Sequence, residues 1–169
     1  MSSFVIKTIG NALNATSLIS PKYASNKALQ LFASPRKGRY TENQRKVIDS
    51  AIFEELHHDN LNIATYRWHG KNKTVLLAHG WESNASRWNY LLQAFKAKGY
   101  DIIALDGPAH GRSDGNQFNA LLYSEFIKVT VKRFKPEVII GHSVGGMASV
   151  FCKHNHGIPS VKKLILLGA

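Results

Sequence analysis

From Lys73 onward the chain alternates short apolar runs with amphipathic segments, and that rhythm leaves few folds open to it. The runs Thr74–Ala78, Asp101–Leu105, Val138–Ile140 and Lys163–Leu167 are apolar on both sides of a strand, so each is expected to lie buried in a sheet covered on both faces. Between them, Ala85, Trp88, Leu92 and Phe95 make one apolar stripe at helical spacing, and Tyr123, Ile127, Thr130 and Phe134 make another. Helices are therefore expected over about Ala85–Lys98 and Ala120–Phe134, with a third over Gly146–Asn155. Strand and helix in repeated order imply an α/β fold with a mostly parallel sheet and helices on both faces. Upstream, Ile52–Leu56 and Asn62–Trp68 alternate well enough for an antiparallel pair joined by a polar turn around His57-His58-Asp59-Asn60.

Most of the chemical information lies where the third run ends. Val138-Ile139-Ile140 leads straight into Gly141-His142-Ser143-Val144-Gly145-Gly146, and helix-compatible sequence follows from Met147 to Lys153. A strand that turns sharply into a helix must hold Ser143 in a strained backbone conformation, with residues lacking a bulky Cβ on either side. Gly141 and Gly145 meet that need where strand and helix pass closest. Such a turn exposes one hydroxyl at the carboxyl edge of the sheet, above a helix N-terminus that favours negative charge.

Gly-x-Ser-x-Gly alone is a weak signal, but two upstream motifs agree with it. Thr74-Val75-Leu76-Leu77-Ala78 ends in His79-Gly80-Trp81, and Asp101-Ile102-Ile103-Ala104-Leu105 runs into Asp106-Gly107-Pro108-Ala109-His110-Gly111-Arg112-Ser113. With these three motifs in this order, the chain resembles the α/β-hydrolase superfamily over roughly Asn62 to Ala169. There strand 3 ends in His-Gly, strand 4 enters an Asp-x-Pro-Gly-His-Gly-x-Ser loop, and strand 5 ends in the nucleophile elbow. Ala109 departs from the usual glycine, which bears only on local loop geometry. The His-Gly-Trp-Glu-Ser run looks like a bacterial subgroup of uncharacterised serine hydrolases.

The resemblance implies a serine hydrolase that cleaves an ester or thioester of a small acyl substrate through a covalent acyl-enzyme. Ser143 would be the nucleophile. The backbone N–H groups of Trp81 and Val144 would hold the oxyanion, with Gly141, His142, Gly145, His79 and Gly80 supporting the elbow and its facing loop. The family order is Ser, acid, His, so the acid and the His are expected after Ala169. So are a cap and two further βα units, roughly 60 residues or more at about 30 per unit. The sheet is thus expected to stop after about its sixth strand, as an N-terminal fragment with an exposed, aggregation-prone apolar edge. From another class, a catalytically inactive hydrolase-like domain that binds a ligand or partner is the alternative. An Asp-nucleophile enzyme is disfavoured by the serine, and a nucleotide-binding protein by the lack of a Gly-Lys-Ser/Thr or Gly-x-Gly-x-x-Gly motif.

Other polar residues have blander explanations. His79 and His110 lie in loops at the carboxyl edge, where either could stand in as a base, but tying loop backbone together is the favoured role. Asp106 ends strand 4, whereas the family takes its acid from a later strand, so a turn-stabilising carboxylate is expected. His154 and His156, eleven and thirteen residues past Ser143, would lie roughly 16 Å or more away along the helix. They lack a third ligand for a metal. No metal or cofactor is implied. Cys152 is read as a small core residue and rules out an intramolecular disulfide.

Charge is uneven. The 169 residues carry 22 basic and 11 acidic side chains, a net charge of +11. Residues 1–46 hold eight basic residues and one acid, Glu42. Residues 1–50 are read as a basic helical N-terminal extension, with helices expected over Tyr23–Ala33 and Glu42–Ile52, and residues 51–169 as an incomplete α/β-hydrolase domain. The extension could touch an anionic membrane peripherally, although a solvated helix packed on the hydrolase core is the favoured reading, and no nucleic-acid module is visible. Phe4-Val5-Ile6 is too short for a secretory signal and no run approaches ~20 apolar residues, so a cytoplasmic protein is expected.

Overall fold

A computed structural model describes residues 3–169. Contacts divide it into two units, one ending at Ser34 and the other spanning Pro35–Ala169. The first is a helical hairpin, α1 (Ser3–Ile19) and α2 (Pro21–Ala33), whose two helices pack on each other. Pro21 at the first turn of α2 needs no hydrogen-bond partner for the N–H it lacks.

The second unit is built on a six-stranded sheet: β1 (Ile52–His58), β2 (Leu61–Trp68), β3 (Thr74–Ala78), β4 (Asp101–Leu105), β5 (Val138–His142) and β6 (Lys163–Leu167), in the order β1-β2-β4-β3-β5-β6. The β1–β2 and β2–β4 pairs are antiparallel; β4–β3, β3–β5 and β5–β6 are parallel. The period of two along each strand sorts the core into two layers. Leu76, Ala78, Ile103, Leu105 and Ile139 face α5 (Ala120–Phe134) and α6 (Val144–His156). Val75, Leu77, Ile102, Ala104 and Ile140 face the opposite layer, which contains Trp88, Leu92 and Ile48. That layer is supplied by a 3₁₀ turn (Ala85–Trp88), α4 (Asn89–Ala97) and α3 (Glu42–Ile48).

Several elements differ from the sequence reading. The helix expected over Ala85–Lys98 begins as a 3₁₀ turn, because Asn84 Oδ1 accepts from both Ser86 N (3.2 Å) and Ser86 Oγ (2.6 Å) and tightens the first turn. The third begins at Val144 rather than Gly146, since β5 runs to His142 and Ser143 alone makes the corner. α3 stops at Ile48, where Ala51 N turns back to the Ile48 carbonyl. The contacts divide the two units after Ser34. Residues 35–50 belong with the sheet because Ile48 is buried in its core and Arg39 Nη1 donates to the carbonyls of Gly111 (2.9 Å) and Ser113 (3.0 Å).

Candidate active site

Three parallel strands end side by side, and their order determines what meets at the carboxyl edge. β3 lies between β4 and β5, so the His79-Gly80-Trp81 turn sits between the Asp106 loop and Ser143. Ser143 has φ 50° and ψ −123°, a positive φ that costs a non-glycine residue roughly 1–3 kcal/mol. Surrounding contacts enforce it. Ser143 N donates to Leu167 O at 2.9 Å on one side, and its carbonyl accepts from Gly146 N at 2.9 Å on the other. A Cβ on Gly141 would fall 2.5 Å from Gly146 Cα, and one on Gly145 would collide with the carbonyls of Ala78 and His79. Helix and strand can cross this closely only because both positions are glycine.

Ser143 is half-buried. Gly80 faces it: a Cβ on Gly80 would lie 3.0 Å from Ser143 Cβ. The Val144 N–H opens α6, where the helix dipole presents partial positive charge. Trp81 is 37% exposed, its ring 6.0 Å from His110 and 5.5 Å from Phe118.

The two edge histidines are fully committed. His79 Nδ1 lies 2.7 Å from Gly80 O and its Nε2 accepts from Gly107 N at 2.8 Å, which requires the neutral Nδ1–H tautomer. Burial drives its pKa down to about 3, with nearby His110 adding to the effect. His110 repeats the pattern: Nδ1 lies 2.8 Å from Pro108 O and Nε2 accepts from Glu82 N at 2.9 Å. Burial lowers its pKa too. Each imidazole ties one loop to its neighbour. His142 is half-buried with Nδ1 unpartnered among the described residues, against Gly80. His156 pairs with Glu125 at 2.7 Å, far along α6.

Asp106 is fully buried, and its carboxylate is the hub beneath these loops. It accepts from Tyr40 OH (2.7 and 2.9 Å), Tyr66 OH (2.8 Å), Ala85 N (2.9 Å) and Arg112 N (2.9 Å). Burial raises its pKa, while the backbone donors of Arg112 and Ala85 and the two hydroxyls oppose that rise. The sequence reading identified Asp106 as a loop carboxylate but missed Tyr40 and Tyr66, since nothing local marks either as its partner.

Comparison with known proteins agrees with this fold. The family model for serine aminopeptidases (S33) matches residues 69–169, well over half of the chain. The chain belongs to that α/β-hydrolase family. Over 118 residues it is 32% identical to a non-heme chloroperoxidase of Burkholderia pyrrocinia, covering 66% of this chain and 42% of that protein. Over 81 residues it is 35% identical to a monoacylglycerol lipase of Mycolicibacterium smegmatis, covering 43% and 29%. Among solved structures, mouse alpha/beta hydrolase domain-containing protein 10 superposes with a TM-score of 0.62 at 22% identity, covering 69% of this chain and 49% of that one. A thioesterase domain from the curacin biosynthetic pathway gives 0.62 at 24%, covering 69% and 45%. At these identities the structures speak to fold alone. This S33-family chain spans less than half the length of these curated relatives.

Proposed function

We propose that Ser143 is the nucleophile of a serine hydrolase that cleaves an ester or thioester through an acyl-enzyme. The observation that carries this reading is the serine held at positive φ between Gly80 and the start of α6. In the proposed reaction Ser143 Oγ attacks the acyl carbon and its proton passes to a base. The carbonyl oxygen becomes an oxyanion held by the N–H groups of Val144 and Trp81, each donor worth on the order of 3 kcal/mol in the barrier. Collapse expels the alcohol or thiol, which takes the proton, and water then releases the acid by the reverse sequence.

Neither His79 nor His110 has a free lone pair for the Ser143 proton, because Nε2 of each already accepts from backbone. We therefore assign the base, and the acid that orients it, to sequence C-terminal to the span described here, as in the Ser, acid, His order of the resemblance. The name of one relative, a monoacylglycerol lipase, supports an acyl ester as the substrate class.

A fluorophosphonate probe tests the reading. In the longer protein, labelling is expected and Ser143→Ala removes it, whereas residues 1–169 alone label near background. Labelling that survives Ser143→Ala in the longer protein overturns the nucleophile. Strong Ser143 labelling of residues 1–169 overturns the assignment of the base. A longer protein that never labels points instead to an inactive ligand-binding domain.

A further inference from the structure

The helical hairpin is the part of the chain that the proposed chemistry does not use, and its surface is unusual. α1 has no buried residue. Phe4 is 77% exposed, Leu18 88%, Ile19 89%, Leu29 63% and Phe32 81%. Scattered apolar side chains on a protein surface are ordinary, but these share faces. At 100° per residue, Phe4, Ala15, Leu18 and Ile19 fall within an arc of about 100° along α1 that Thr8 and Asn11 also share, with Lys7 bordering it, while half-buried Ile9 and Leu13 lie on the other side. On α2, Lys22, Leu29 and Phe32 share one side.

Charge narrows what can cover such a surface. The described residues up to Ser34 contain Lys7, Lys22 and Lys27 and no Asp or Glu. A second copy docking hairpin to hairpin would bring more lysines and no acid to meet them. Nucleic acid would satisfy the lysines but leave Leu18, Ile19 and Phe32 in water. An anionic bilayer surface answers both, since acyl chains take the apolar stripe and headgroups take the lysines. Spanning is not available: no described helix is long and apolar enough to cross a membrane, and the 17 residues of α1 reach about 25 Å against a hydrocarbon core of about 30 Å.

We propose that the α1–α2 hairpin docks on the surface of an anionic lipid bilayer, with Phe4, Leu18 and Ile19 of α1 at the acyl boundary and Lys7 and Lys22 at the headgroups. This surface is independent of Ser143, so its test does not depend on hydrolysis. The experiment is co-sedimentation of the full chain with phosphatidylcholine vesicles, with and without phosphatidylglycerol, at low and high salt. Binding is expected only with phosphatidylglycerol and is weakened by salt. Leu18→Ser with Ile19→Ser should lower the vesicle partition coefficient by about tenfold or more. Lys7→Gln with Lys22→Gln should lower it by roughly thirtyfold. As these side chains are solvent-facing, the variants are expected to keep wild-type helix content by circular dichroism. Ile19→Trp gives an independent reading: its emission should shift to the blue on anionic vesicles and be quenched by brominated lipid. The proposal is overturned by equal binding to both vesicle types, by binding that ignores the serine substitutions, or by Ile19→Trp emission that does not change. It is equally overturned by a dimer that these substitutions break in the absence of vesicle binding, which would assign the face to a second copy.

Discussion

Asp106 offers a stability test of how the loops around Ser143 are held. Replacing it with alanine removes the acceptor for two backbone N–H groups, Ala85 and Arg112, and for the hydroxyls of Tyr40 and Tyr66. The two hydroxyls can rotate and bond to each other, but the N–H groups cannot move without carrying their loops. Each orphaned buried donor costs about 1–3 kcal/mol. Against this stands relief from holding a carboxylate where burial disfavours its charge, the effect that raises the Asp106 pKa. The balance is a destabilisation of about 3–5 kcal/mol, a large part of the 5–15 kcal/mol typical of a domain.

Asp106→Asn should fall between wild type and alanine, at about 1–3 kcal/mol. The amide oxygen can still serve one backbone donor, but its NH₂ then faces the other. Tyr40→Phe removes a single hydroxyl donor to a charged acceptor and should cost about 1.5–3 kcal/mol alone. In an Asp106→Ala background it should cost far less, because the partner is already gone. Equilibrium urea unfolding followed by tryptophan fluorescence reads the four variants against wild type, since Trp68 and Trp88 are both buried. An alanine variant within about 0.5 kcal/mol of wild type, or additive Tyr40 and Asp106 effects, would refute the hub.

Three further outcomes follow from the same geometry. Ser143→Gly should raise unfolding stability by about 1 kcal/mol, because glycine occupies φ 50° without strain; no gain in a urea titration would mean that Ser143 is not strained. Gly145→Ala should destabilise the fold by more than about 2 kcal/mol, since the new Cβ meets the Ala78 and His79 carbonyls; a soluble variant with wild-type melting behaviour would contradict that close approach. For His79 the folded pKa of about 3 lies below the ordinary 6.5, so the unfolded chain binds the proton first. Its contribution is complete above pH 6.5 and is lost as pH falls toward 3, by up to about 1.4 kcal/mol per pH unit. Chemical denaturation across that range checks this against His79→Gln, in which the slope should shrink.

What the sequence made legible was whatever depends on neighbours along the chain. Thr74–Ala78, Asp101–Leu105 and Lys163–Leu167 are strands with the bounds that their apolar runs imply, and Ala120–Phe134 is a helix from its apolar stripe to its left-handed cap at Lys135. The corner at Ser143 was legible too, because a strand cannot enter Gly-x-Ser-x-Gly and leave as a helix in many ways. What depends on distant partners was not. Tyr40 and Tyr66 lie 66 and 40 residues from Asp106, and neither carries a local mark of that role. The glutamate Glu82 accepts from Arg36 N across 46 residues. α1 escaped for another reason: Gly10, Asn11, Asn14 and Thr16 interrupt its apolar pattern, so no core-facing stripe identifies it as a helix.

The two edge histidines place a constraint on any hydrolytic chemistry. A general base must keep a lone pair aimed at the nucleophile's proton and hold a pKa near the working pH. His79 fails on both grounds, as Nε2 is filled by Gly107 N–H and protonation is deferred to about pH 3. His110 has the same tautomer and the same saturation, with Glu82 N–H in place of Gly107 N–H. Freeing either ring would release the loop that presents Gly80 and Trp81 to Ser143, so recruiting one as a base would dismantle the oxyanion side of the proposed site. The features that make these imidazoles good clamps, burial and full hydrogen bonding, are those that disqualify them from proton transfer.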